Sequence, residues 1–72
     1  MRNETILKQE IKGRQKLLKA NDVAEVLNIS SAYVYKLIST GELPSVHIGR
    51  SVRVRPQDLD VFIVGNIYFS NK

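Results

Sequence analysis

A chain of 72 residues holds one domain near the lower limit for a self-sufficient core, and leaves no room for a second domain or for the walls of a deep active site. The absence of cysteine excludes disulfides and thiolate metal sites, no apolar run approaches the ~18–20 residues of a membrane span, and the charged start lacks a signal-peptide core; together these predict a soluble cytoplasmic protein. The excess of 11 Lys and Arg over 7 Asp and Glu is modest, but it is segregated: Lys12, Arg14, Lys16 and Lys19 lead into the domain and Arg50, Arg53 and Arg55 cluster later, a distribution that favours a phosphate backbone as partner.

Residues 1–16 read as a flexible basic arm in which Leu7 and Ile11 share a face until Gly13 interrupts it. Leu17 and Leu18 open the domain proper, expected over residues 17–64. The first helix is expected over about Asn21–Leu27, burying Val23, Ala24 and Leu27. Ala24 is small enough to let a second helix approach, Asn28 suits a left-handed exit, and Ile29 plugs the corner. Ser30 has the hydroxyl to cap the next helix, expected over Ser31–Ser39, where Val34, Leu37 and Ile38 repeat at i, i+3 and i+4. Gly41 ends it. Two short helices joined by so tight a turn form a helix-turn-helix, the arrangement that presents its second helix to a DNA major groove.

Beyond Gly41 the period changes from helical to alternating. Val46, Ile48, Val52 and Val54 are expected to face the helices, with His47, Arg53 and Arg55 outward. A loop of Gly49-Arg50-Ser51 centred on Arg50 would set Ile48 opposite Val52, Val46 opposite Val54 and His47 opposite Arg53, giving a wing with one apolar and one cationic face. Pro56 fits the first turn of a third helix, striped by Leu59, Phe62 and Ile63 and stopped at Gly65. Residues 65–72 form a tail that is apolar through Ile67, Tyr68 and Phe69. The fold class is therefore mostly α with a small β-hairpin: a winged helix-turn-helix of three short helices and a two-stranded wing.

The stretch Leu17-Leu18, Asp22 to Leu27, Ser30 to Ile38, Gly41-Glu42-Leu43-Pro44, Ile48-Gly49-Arg50 and Asp58-Leu59 resembles the excisionase-type small DNA-binding domain, a compact relative of the MerR-type winged helix. The resemblance runs from about Leu17 to Ile63. It implies a recombination directionality factor that binds and bends double-stranded DNA so that a tyrosine integrase favours excision, with further copies of itself alongside. The same domain also serves small transcription regulators, and a protein-interaction module using the apolar tail is a third reading. Lys19 stands where such proteins often carry a Ser or Thr cap, so Asn21 is expected to cap the first helix instead; Ser31 stands where Arg is frequent.

The candidate DNA-contacting residues are Ser30, Ser31, Ala32, Tyr33, Tyr35 and Lys36 on the second helix and Arg50, Arg53 and Arg55 on the wing. Lys36 suits a guanine or a phosphate, the Ala32 methyl suits a thymine methyl, and the Tyr35 hydroxyl suits a phosphate. Arg50 at the wing tip suits a phosphate or a narrow minor groove. Lys19 is a weaker candidate of the same kind. With one histidine, and with Asp58 and Asp60 on different helix faces, no catalytic residues, metal site or cofactor are expected.

Overall fold

The computed structural model describes residues 15–69, in which three helices and one hairpin succeed one another: α1 (Ala20–Leu27), α2 (Ser31–Ser39), β1 (Val46–Ile48), β2 (Ser51–Arg53) and α3 (Pro56–Gly65). This is the winged helix-turn-helix arrangement. Most of the arm expected over residues 1–16, and the last three residues of the tail, lie outside the described residues.

The corner between α1 and α2 is built by local backbone chemistry. Asn28 adopts φ 58° and ψ 47°, the left-handed conformation that a side-chain carbonyl tolerates better than most. The Ile29 N–H then bonds the Ala24 carbonyl at 3.0 Å and the Asn28 N–H bonds that of Glu25 at 3.3 Å, the two hydrogen bonds of a Schellman motif. Ser30 caps α2, its Oγ accepting from the Tyr33 N–H at 3.1 Å. The far end of α2 closes the same way: Gly41, at φ 82°, donates to Ile38 and Glu42 donates to Leu37. Both ends of the second helix are thus satisfied within the chain.

The start of α1 differs from expectation. The helix begins at Ala20 after an extended Lys19, and Asn21 is not its cap. Asp22 secures the entry from inside the first turn, its Oδ2 accepting the Lys19 N–H at 2.9 Å, with its charge at the positive end of the helix. No side chain caps the first-turn N–H groups of α1; the carboxylate three residues on ties down the Lys19 N–H instead.

The core comprises Ala20, Val23, Ala24, Val34, Leu37, Leu43, Val54 and Leu59, with Leu18, Leu27, Ile29, Ile38 and Phe62 packed at its margin. Leu43 is wholly buried although it lies in a segment without periodicity; its N–H, like that of Glu42, is held by the Leu37 carbonyl. The stripe expected on α3 narrows to Leu59 and the half-buried Phe62, and Ile63 is exposed. Gly65 is the last helical residue, not the stop. Asn66 terminates α3, its side-chain amide donating to the Phe62 carbonyl at 2.8 Å. The tail does not fold back as far as Phe69: Ile67, Tyr68 and Phe69 are exposed.

The hairpin register is one residue away from the expected one. Val46 pairs with Arg53, His47 with Val52 and Ile48 with Ser51. The turn is the two-residue Gly49-Arg50, with Gly49 at φ 60° in the first central position, as a type II′ turn demands, and Ser51 belongs to the strand. A one-residue slip changes which side chains share a face. Val46 and Ile48 therefore lie on the face of Arg53, and Val52 and Val54 on that of His47. Ile48 is 57% exposed while Val54 is fully buried, so the clean division into an apolar and a cationic face does not hold. Val54 also pairs with Leu18 outside the hairpin, the two backbones exchanging hydrogen bonds of 2.8 Å.

With so few wholly buried side chains, each carries a large share of a stability that runs to only about 0.05–0.15 kcal/mol per residue. Leu43→Ala is expected to cost about 2–5 kcal/mol, enough to leave much of the chain unfolded without denaturant in a urea titration. Asn28→Val should cost about 1–2 kcal/mol through its left-handed backbone, and Asn28→Gly should cost nothing. Equal stability of the two Asn28 variants would contradict the corner geometry.

Candidate nucleic-acid interface

The outer face of α2 is set by its buried one. Successive helical residues step round the axis by about 100°, as 3.6 residues per turn require. With Val34 and Leu37 inward, Ala32, Lys36 and Ser39 fall on the opposite side, and all three are exposed. Tyr33 and Tyr35 flank this face on opposite edges and are about half exposed, at 49% and 52%. Ser30 is engaged in capping and Ser31 is half-buried at the start of the helix. The residues singled out on α2 thus form one continuous ridge, led by a capped N-terminus.

The wing brings its cations to the Tyr35 edge of that ridge. Lys19, Tyr35, Arg50 and Arg53 line one open hollow between the start of α1, the flank of α2 and the hairpin. Arg50, in the turn, is exposed. Arg53 is half-buried, one Nη1 proton donated to the Val52 carbonyl at 2.9 Å, which leaves most of its five donors for other acceptors. Lys19, only a minor candidate on sequence grounds, joins them through the Leu18–Val54 pairing, a long-range contact without a local signature.

Arg55 has a different role. It sits in the N-cap position of α3 and grips Asp58 with both arms of its guanidinium, Nε to Oδ2 at 2.6 Å and Nη2 to Oδ1 at 2.8 Å. The pair is partly shielded, the side chains being 32% and 15% exposed. It fixes the entry of α3 as well as carrying charge. His47 is exposed, its Nε2 3.0 Å from the Ser45 hydroxyl. A second hollow, lined by Asp22, Glu25 and Ser31 among others, is acidic and lies on another side of α1. Among the described residues no group of three His, Cys, Asp or Glu side chains could hold a metal, and no helix is long and apolar enough to cross a membrane.

A helix-turn-helix with both ends of its second helix capped, and with a short cationic hairpin at its flank, defines a winged helix-turn-helix protein. The family model described as "Helix-turn-helix domain" matches residues 17–66, and the chain belongs to that family. Two curated relatives from Mycobacterium tuberculosis are each 43% identical over 47 residues: "Putative DNA-binding protein MT0521" of strain CDC 1551 / Oshkosh and "Putative DNA-binding protein Rv0500A" of strain ATCC 25618 / H37Rv. Each match covers 61% of this chain and 60% of the relative, so the chain spans somewhat under two thirds of the length of the curated relatives it matches. No solved structure matches the chain significantly.

The differing engagement of the wing arginines has a measurable consequence. Arg50→Ala should weaken binding to all duplexes alike and lower the slope of log affinity against log salt by about one, with the melting temperature unchanged. Arg55→Ala should lower the melting temperature by about 4–8 °C, the equivalent of about 1 kcal/mol in a domain this small. Equal thermal effects of the two substitutions would refute the distinction between a free turn cation and one that anchors α3.

Proposed function

We propose that the chain is a sequence-preferring, double-stranded DNA-binding factor of the excisionase type, acting in the cytoplasm without catalysis of its own. The observation that carries DNA binding is the continuity of the exposed α2 ridge with the wing cations. A major groove about 12 Å wide admits a helix, and a cationic hairpin beside it falls on the flanking backbone or minor groove. The names of the two mycobacterial relatives agree with this reading.

Within the interface the roles divide by chemistry. Lys36 and Ala32, on the outermost line of α2, read base edges. Ser31, Tyr33 and Tyr35 position the helix on phosphates, with Ser30 at its capped entrance. Arg50 and Arg53 hold backbone, and Arg55 adds a weaker field from behind its carboxylate partner. The domain occupies residues 17–64, with residues 1–16 as a basic arm and 65–72 as an apolar tail.

The directionality role rests on the combined motifs Gly41-Glu42-Leu43-Pro44, Ile48-Gly49-Arg50 and Asp58-Leu59, and its partner is a tyrosine integrase. A single module of this kind buries only about 600–1,000 Å² on DNA and binds loosely, so neighbouring copies must assist one another. Ile67, Tyr68 and Phe69, at 50%, 90% and 80% exposed, offer the apolar surface for that contact.

Footprinting and circular-permutation gels on the DNA flanking the gene test the whole reading. Tandem protected sites and a bent duplex beside a recombination junction are expected; one unbent promoter site would favour the regulator. Lys36→Ala should cost about 1–3 kcal/mol on the selected site and less on random duplex. Equal losses would make Lys36 a backbone contact. Truncation after Gly65 should reduce cooperativity on tandem sites more than affinity for one site, and unaltered cooperativity would remove the tail from the assembly.

A further inference from the structure

The backbone pairing of Leu18 with Val54 has an electrostatic consequence one residue further along. Continuing its antiparallel register sets Lys19 opposite Arg53, and since Leu18 and Val54 turn inward, their neighbours turn outward on one face. Like charges directly opposite one another on paired strands repel. Among the described residues neither has a carboxylate partner: the Asp22 carboxylate accepts the Lys19 backbone N–H and lies in the neighbouring hollow, not this one. Arg50 adds a third cation to the same concavity, while Tyr35, Ser51 and Asn21 add two hydroxyls and an amide. Asn21 is exposed in the first turn of α1, whose earliest N–H groups precede the first intrahelical bond, from Val23 to Lys19. Three cations, three neutral donors and no carboxylate form a surface that is complementary to one oxyanion.

We propose that this hollow seats a single phosphate of the DNA backbone, held jointly by Lys19, Arg53 and the Tyr35 hydroxyl, with Arg50 on the adjoining phosphate. The inference rests on the DNA-binding reading above and refines it. Wing and recognition helix grip one point of one strand, and Lys19 from the entry to α1 is a contact residue in its own right. The bound anion relieves the repulsion between Lys19 and Arg53. The seat carries no base information; it sets the register of α2 in the groove.

The test uses the full chain and a duplex that it selects from a random pool, remade with each phosphate in turn replaced by a neutral methylphosphonate. For the unaltered chain, replacement at one backbone position should weaken binding about tenfold. For Lys19→Ala, Arg53→Ala and Tyr35→Phe the loss at that same position should fall below about threefold, while losses at other positions persist. Lys19 is exposed and bonds within the fold only through its backbone N–H and carbonyl, so Lys19→Ala should melt as the parent does; Lys19→Gln repeats the measurement with the stem retained. An unchanged phosphate map for both Lys19 variants, or relief at different phosphates for Lys19 and Arg53, overturns the shared seat and leaves DNA binding standing. A chain that enriches no duplex overturns the DNA-binding reading and the seat with it.

Discussion

Two hydrogen bonds of 2.8 Å between the backbones of Leu18 and Val54 decide where the wing of this small domain sits against its helices. They join the entry to α1 with the exit from the hairpin, so that everything between them, both helices of the corner and the wing, is closed into one loop. Closure of a long loop costs entropy only logarithmically in its length, whereas the burial it permits at Val54 is complete. Because the bonds are made by main chain, they hold the wing at a set distance from α1 whatever side chains surround them. The basic concavity is a by-product of this tie, since Lys19 and Arg53 are the next residues out from the bonded pair.

Inside that loop the recognition helix is held at both ends. Ser30 satisfies its first turn, and the bonds from Gly41 and Glu42 satisfy its last. Val34 and Leu37 lock its inner face against α1, where Ala24 allows close approach. A helix so fixed loses little freedom on docking into a groove, which matters when the contact area is small and the ordering cost must stay low. The half-exposed tyrosines suit the same requirement, each having only two side-chain torsions to restrict and joining a flat apolar ring to a polar hydroxyl.

What was legible in the chain was what short-range chemistry determines. The left-handed Asn28, the Ser30 cap, the Gly41 terminus and the span of α2 each follow from residues within one turn of one another, and the structure has them where the pattern placed them. The cap position of α1 fell to Lys19 instead of Asn21 because an acceptor at the third helical position, Asp22, reaches back to the Lys19 N–H, and two polar residues in succession do not reveal which one turns that way. The hairpin register escaped because the loop is one residue shorter than expected: a three-residue loop centred on Arg50 keeps the apolar residues paired, whereas Gly49 takes the first position of a two-residue turn and sets Val46 opposite Arg53. Leu43 and the Leu18–Val54 pairing left no periodic trace at all, being contacts between distant segments. Lys19 consequently ranked in the sequence as no more than a weak candidate beside the wing arginines.

The three wing arginines show why counting charge is a poor guide to an interface. Arg50, Arg53 and Arg55 lie within six residues and look equivalent as letters, yet the structure gives each a different reserve of free donors. In the turn, Arg50 is exposed at the rim of the hollow, with no ion pair among the described residues. Arg53 spends one proton on the Val52 carbonyl and lines the same hollow as Lys19. The guanidinium of Arg55 is committed to the Asp58 carboxylate in bidentate geometry at the head of α3. A phosphate gains most from a cation that is held in place but not yet neutralised, and by that criterion Arg53 outranks both of its neighbours. Arg50 must lose side-chain freedom on contact, and Arg55 would have to share a charge that is already paired. The local chemistry of each guanidinium, and not the formal net charge of +4, determines which donors the fold already engages.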